Sequence, residues 1–470
     1  MRRQASLAAS ALAAFGGLAC GDVVSQPIGL AAAVDGGGPA NPDSSEGSHS
    51  GAGTDSGQLI LGDAESASFC DGHGPIPLAG KSTCIGDLAQ IFRFAACACK
   101  SFDISGSLST DSFDSTSDAG PATGALASIG SNGEISTNSR LSIAGSLWTG
   151  GPGPDGGPAV TLSGGASAGG TITQDVHSAA DMDVGGKYLV EGNVSANGNV
   201  TVDPGGSLAV LGTVYVPAGD SAFGVQGTVV NMPVAGTAPC SCAAPIDVAS
   251  IVAAYANSND DSSVGLAPDA SLAATATLPC GRYYVAGVEG DTVSLQINGR
   301  VALFVGGDIS VTHDLRIELA PGAELDLFVS GSVSIMGSVE IGDANSPART
   351  RLYMGGATLA LAASASPLAA NIYAPNAVLE LASDFEMWGS IFADHLQFSG
   401  AFAIHYDTSV LKVAQASGCA PPAGSCQTCN DCAGSTPACK AGTCAPCTTT
   451  ADCCAPLDCN SSGACELTIR

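Results

Sequence analysis

The sequence predicts a mainly β protein, a β-solenoid of stacked coils, on three observations. Five short apolar runs recur between about Val301 and Val410: ALFVGGDISV, DLFVSGSVSI, RLYMGGATLA, NIYAPNAVLE and SIFADHLQFS. Each carries an aromatic early in the run (Phe304, Phe328, Tyr353, Tyr373 and Phe392), at separations of 24, 25, 20 and 19 residues. A period of about 20 to 25 residues with strand–turn–strand content is the mark of a solenoid coil. In GKYLVEGNVSANGNVTVDPGGSLAVLGTVYVPAG, the turn glycines Gly192, Gly198, Gly205, Gly212 and Gly219 fall six to seven residues apart, giving three short strands per coil. Finally, 62 glycines beside only 5% aromatic and 12% charged residues fit short strands joined by tight turns, where Gly takes positive φ without strain. A single coil cannot bury its inner face, so like residues of successive coils form a ladder along the axis.

Taken in order, the chain opens like an export signal over residues 1–20. Arg2 and Arg3 precede the apolar stretch Leu7 to Leu18, too short to span a bilayer, and Cys20 follows directly after Leu18-Ala19. Cys20 is therefore read as a lipidation site, although Gly17 stands where such signals usually carry Leu; an ordinary cleaved signal is the alternative. Acylation at Cys20 predicts a partner in the membrane through a lipid anchor, at the outer membrane or cell surface. Without it, the protein is secreted. Residues 21–66 are rich in Gly, Ser, Asp and Pro and predict a disordered tether.

Residues 67–100 read as a cysteine-containing helical cap over the first coil. Leu88, Ile91, Phe92, Ala95 and Cys99 fall at helical spacing, with Thr83 available as the N-cap. Residues 101–235 form the first β part. Residues 236–282 follow as a helical insertion, with Val248, Ile251, Val252 and Tyr255 on one face. Cys240 and Cys242 before this helix and Cys280 after it predict that a disulfide closes the insertion. The solenoid resumes over 283–411, and residues 419–466 predict a small disulfide-rich module.

Setting Cys20 aside leaves 18 cysteines, all disulfide candidates in an exported chain. Seven lie in the body (Cys70, Cys84, Cys97, Cys99, Cys240, Cys242 and Cys280) and eleven in the tail (Cys419, Cys426, Cys429, Cys432, Cys439, Cys444, Cys447, Cys453, Cys454, Cys459 and Cys465). Both counts are odd, so complete pairing requires a bridge between body and tail, for which Cys419 is the natural candidate. A zinc reading of Cys426, Cys429 and Cys432 needs four ligands and a reducing compartment.

A net charge of −28, with no Lys/Arg run, argues against nucleic acid. Surface Ca²⁺ is weighed but has no calcium-loop spacing behind it, so no cofactor is expected. Gly165-Ala166-Ser167-Ala168-Gly169 matches the spacing of a nucleophile elbow, yet it lies in a Gly-rich run with no helix after it. His405-Tyr406-Asp407 places His405 and Asp407 on one side of a strand and Tyr406 on the other. Asp384 and Glu386, two apart, are read on a strand at about 6 to 7 Å, a separation compatible with paired glycosidase carboxylates. Solvated surface polarity accounts for each of these, and no catalytic residue is assigned.

Several stretches together resemble a family of secreted lipoproteins found in myxobacteria, related to choice-of-anchor and pilus-associated β-repeat domains. They are CAC before a Gly/Ser-rich β region, PCSC, LPCGRYYVAG, VALFVGGDIS, LAPGAELDLFVSGSVS, NIYAPNAVLEL, IFADHLQFSG and HYDTSV. The tail resembles knottin-like cysteine-rich modules. The resemblance implies a right-handed parallel β-solenoid (β-helix), surface display and no known catalytic residues. The resulting expectation is a non-enzymatic surface lipoprotein with a structural, adhesive, or matrix- or polysaccharide-binding role, whose partner is a polysaccharide or a surface protein. The alternatives are a carbohydrate-active lyase or hydrolase, by fold analogy, and a scaffold of a surface appendage.

Overall fold

The structure, a computed structural model, describes residues 69–76, 91–117, 124, 126–267, 269–361, 368–381, 383–416, 438–440, 443–448, 458–459 and 465–466. They fall in one compact unit, Ile60–Arg470. The export signal, Cys20, the tether, Thr83, Cys84 and most of the tail cysteines lie outside these residues.

The fold is mainly β, with strand at 54% against 8% helix. Strands are short where side chains alternate in strict buried–half-buried order, as in Val194–Ala196, Val200–Val202 and Val333–Ile335. Branched apolar residues face the core, while Ser or Thr faces outward, which is what period-two patterning demands. The large sheet joins 28 strands, and each strand pairs in parallel with one about a repeat away, such as Lys187 beside Ser207 and Phe304 beside Phe328. The pairings also close twelve strands into a ring. Closure follows from two long strands that turn a corner. Ser207–Val216 pairs with both Lys187–Val190 and Val194–Ala196, and Phe385–Phe398 with both Ala96–Ile104 and Phe402–Asp407.

Stacking order differs from chain order. The first strand, Ala96–Ile104, lies mid-stack: Ala96 neighbours Ile129 on one side and Ile391 on the other. Strand Leu108–Phe113 likewise sits between Leu141–Ile143 and Phe402–Asp407. The chain thus enters mid-stack and coils out to one end at Val225–Asn231. It crosses back to the other end at Thr275–Val285, then coils inward until it meets its own first strand.

This arrangement corrects the expected cap. Strands flank Ala96–Ile104 on both sides, so the first strand offers no open end to cap, and Cys70 instead bridges to Cys280 in the end strand Thr275–Val285. Ile91 ends a helix, but Ala95 falls outside it, and Cys97 and Cys99 are strand residues, so the β region begins at Ala96 and not at 101. The helical spacing misled because Ala95 to Ala98 are all fully buried, which hides the strand's alternation.

The insertion is also corrected: it is not closed on itself. Cys240 bridges to Cys97, Cys242 to Cys99, and Cys280 to Cys70. These three bridges use six of the seven body cysteines and leave Cys84 as the odd one. Residues 232–247 run as a strap along one side of the stack, ending in the helix Val248–Tyr255, whose N-cap Asp247 accepts from Ser250 N at 3.0 Å. Below the strap runs a register column: Tyr284, Phe304, Phe328, Tyr353, Tyr373, Phe392, Cys97, Gly130, Trp148, His177, Ser195, Tyr215 and Val230.

The aromatic ladder therefore faces the strap. Phe304 and Phe328 stack at 5.2 Å and Phe328 and Tyr353 at 4.5 Å, while the strap's Tyr255 lies flat on Phe304 at 4.0 Å. Tyr373 Oη accepts from Ile246 N at 3.0 Å, and its ring meets Phe392 at 5.1 Å. At the next position the column carries Cys97, bonded to the strap, and then Gly130, where a Cβ would lie 3.1 Å from Pro239. Asn132 fastens the same point, its side chain donating to Cys240 O at 2.9 Å and accepting from Cys240 N at 2.8 Å.

In the tail, Ala438–Lys440 pairs antiparallel with Thr443–Ala445, as does Asp458–Cys459 with Cys465–Glu466, and Cys447 is disulfide-bonded. Among the described residues no helix is long and apolar enough to cross a membrane.

Candidate functional site

The site forms where the two halves of the stack meet. Strands Phe385–Phe398, Phe402–Asp407 and Leu108–Phe113 lie side by side, and their register sets Trp388 next to His405 and His405 next to Asp111. The outward positions of three successive rungs thus make a row of Trp, His and Asp. The Trp388 and His405 rings stack at 4.8 Å, inclined by 29°. His405 Nδ1 lies 2.9 Å from Asp111 Oδ1, and Nε2 lies 2.9 Å from Glu386 Oε1. A cleft of about 590 Å³ opens beside the row, lined by Trp388, His405, Asp111, Ser115, Ser117 and Asn345 among others.

The electrostatics follow from this geometry. Ionised carboxylates only accept hydrogen bonds, so both imidazole nitrogens must carry a proton. The hydrogen bond His405 donates to Asp111 raises its pKa, partial burial opposes the rise, and the bond to Glu386 adds to it. His405 is accordingly an imidazolium over a wider pH range than a free histidine. A raised folded pKa gives stabilisation that is complete below the unfolded value, near 6.5, and is lost as pH rises through the folded value. In a Trp148→Phe background, the fluorescence of Trp388 should titrate with a midpoint above 6.5, which Glu386→Gln should lower. A midpoint at or below 6.5 would show that the carboxylates do not hold the charge.

The floor of the site is built from buried polar contacts. Asp407 is fully buried and accepts from Ser115 N at 3.0 Å, Ser115 Oγ at 2.7 Å and Ser409 Oγ at 2.8 Å. It serves as an anchor, tying strand Phe402–Asp407 to Ser115 of the cleft wall. Tyr406 Oη donates to Phe92 O at 2.6 Å, and burial pushes its pKa well up. Lys412 pairs with Asp114, whose carboxyl it holds below the ordinary range with help from Thr116.

Asp384 precedes the strand that carries Glu386, and its Oδ1 accepts from Ala401 N at 2.8 Å. The structure joins Glu386 to His405 and gives Asp384 a turn-bracing role outside the strand, so the two carboxylates weighed as a glycosidase pair have different partners. Ser167 lies in a 3-10 turn, donates to Gly164 O at 3.2 Å and is followed by strand Gly169–Ile172, a setting without the strand-to-helix elbow. Among the described residues, no group of three or more His, Cys, Asp or Glu is placed to hold a metal ion.

Sequence reasoning singled out His405 and Glu386 but missed Trp388 and Asp111. Aligning FEMWG on FAIHY would have set Trp388 against His405, since both begin a strand with Phe. Asp111 had no such signal, because its rung neighbour is 294 residues away.

A family model described as a domain of unknown function (DUF7305) matches residues 234–413, from the strap to the helix after Asp407. Trp388, His405 and Glu386 fall inside the matched span, and Asp111 and Ser115 outside it. No curated protein and no solved structure matches the chain.

Proposed function

We propose that the protein is a non-enzymatic surface lipoprotein, a right-handed parallel β-solenoid that binds polysaccharide in the cleft beside Trp388. The observation that carries this reading is the stacked Trp388–His405 pair flanked by Asp111 and Glu386 across successive rungs beside the cleft. An aromatic face packs against the C–H side of a sugar ring, while carboxylate oxygens accept from its hydroxyls. Parallel pairing at a repeat of about one coil supports the solenoid, and an acidic exterior suits a displayed, well-solvated module. Outer-membrane attachment through Cys20 belongs to the same proposal and rests on the sequence alone.

The competing reading is a glycoside hydrolase or lyase. His405 with both nitrogens engaged has no lone pair to act as a base, and Asp384 is tied to a turn, which favours the binding reading. The test incubates the purified full chain with a panel of neutral, basic and acidic polysaccharides. Retention and release of new reducing or unsaturated ends are followed together. Retention without product is expected, weakened about tenfold by Trp388→Ala. Product release abolished by Glu386→Gln would establish the enzyme instead, and retention unaffected by Trp388→Ala would place binding elsewhere.

A further inference from the structure

The two ends of the stack are built differently. At one, strand Thr275–Val285 gives its outer edge to the turn that follows the strap helix. Asp260 accepts from Arg282 N at 2.8 Å and donates its own N–H to Arg282 O at 2.6 Å, and Asp261 accepts from Tyr284 N at 2.9 Å. Side chains and one backbone turn there take the place of a neighbouring strand. At the other end, Val225–Asn231 pairs along one edge with Ser207–Val216, and among the described residues no strand takes its second edge.

That open end is apolar. Phe223 is 72% exposed, Leu211 71%, Val229 42% and Val230 38%, four of the seven large hydrophobics exposed among the described residues. Val229 continues the core position of Val214, so its exposure marks a core position left uncovered among the described residues. An open β edge is normally guarded by Lys, Pro, a bulge or an inward charge. Here no charged residue or His occurs from Ser221 through Ile246, in a chain whose net charge is −28.

The geometry points to a second copy of this chain as the occupant, joined end rung to end rung. Unpaired strand amides and carbonyls call for another strand. Asp220 borders the rung, but strand Val225–Asn231 itself carries no charge, so two copies of so acidic a chain meet there with little like-charge repulsion. The contact is self-complementary, strand Val225–Asn231 of one copy against the same strand of the other with Phe223 and Leu211 closing around it. Because the far end is capped by Asp260 and Asp261, the assembly stops at two instead of growing into a filament.

The experiment measures the mass of the full chain carrying Cys20→Ser, which excludes lipid-driven association, by sedimentation over a range of concentrations. A mass that doubles and then stays constant is expected. Val229→Lys combined with Phe223→Lys should return the monomer with an unchanged circular dichroism spectrum and thermal midpoint. Met336→Lys, at an exposed apolar residue on the side of the stack, should leave the dimer intact. A monomer at every concentration, unlimited growth, or a dimer insensitive to the end-rung pair would each overturn the proposal. Should the lysine pair fail to fold, Val230→Lys alone, at an outward-facing edge position, provides the same comparison.

Discussion

Exchanging Arg351 for Met is expected to lower stability by about 3–5 kcal/mol, because it leaves two buried carboxylates without their cation. Arg351 is 1% exposed and uses four donor contacts: Nε to Asp326 at 2.6 Å, Nη2 to Glu324 at 3.1 Å and to Asp326 at 3.2 Å, and Nη1 to Ala348 O at 2.8 Å. The same carboxylates accept from the N-terminal segment, Glu324 from Gly74 N at 2.9 Å and Asp326 from Ile76 N at 3.1 Å. Arg300 completes the clasp, donating to Phe69 O at 3.0 Å and Gly74 O at 2.8 Å while lying over the Phe69 ring. Desolvation works against both arginines. For Arg351 the pull of Asp326 overcomes it and the pKa rises, whereas for Arg300 burial prevails and the pKa falls. Removing Arg351 therefore weakens the docking of residues 69–76 as well as the strand beneath. Equilibrium denaturation would show the midpoint fall, and limited proteolysis would show cleavage near Gly72 first. Arg316→Met supplies the contrast: its pairs with Glu318 and Glu340 are half exposed, and such pairs contribute about 0–1 kcal/mol. Equal losses from the two substitutions would rule out the buried clasp.

How far the sequence revealed this architecture depends on what each signal measures. The aromatics at Phe304, Phe328, Tyr353, Tyr373 and Phe392 repeat because each rung offers the same position to its neighbours, so a periodic signal reports stacking directly. It does not report what lies above the stack: the helical face carrying Tyr255 was legible and fits packing on the side of the coils, but its partner Phe304 was not. Stacking order was hidden too. Repeats align equally well whichever end the chain starts from, and nothing in CACKSFDI marks Ala96–Ile104 as a middle rung. The candidate site suffered most from this, since Asp111 meets His405 only through the junction of first and last rungs. Cysteine parity called for a bridge from body to tail, whose candidates Cys84 and Cys419 lie outside the described residues, while spacing favoured local closure of Cys240, Cys242 and Cys280. Their partners Cys97, Cys99 and Cys70 are close only once the strap lies along the stack.

The paired bridges Cys97–Cys240 and Cys99–Cys242 should behave non-additively, and this is the largest effect expected in the molecule. Each spans 143 residues of sequence, a loop whose closure restricts the unfolded chain by about 5 kcal/mol. Once one bridge is formed, however, the other closes only the small ring through Ala98 and Ser241, which contributes about 2 kcal/mol. Replacing either pair by alanines should therefore lower stability by about 2 kcal/mol, and replacing both by about 7 kcal/mol. The structural consequence is specific as well. The strap is held by these bridges, by Asn132 at Cys240, by Ile246 on Tyr373 and by the burial of Val248, Val252 and Tyr255, so loss of both bridges removes its covalent attachment over the ladder and leaves it to hydrogen bonds and apolar packing. Amide exchange in the helix Val248–Tyr255 should then rise well above that in the inner strands, whereas either single replacement should leave it slow. Denaturation of the two single-bridge variants and the double variant measures the first point, and hydrogen exchange the second. Losses that simply add, with each single variant accounting for half the double, would mean that the two bridges constrain separate loops and that the strap is not their common target.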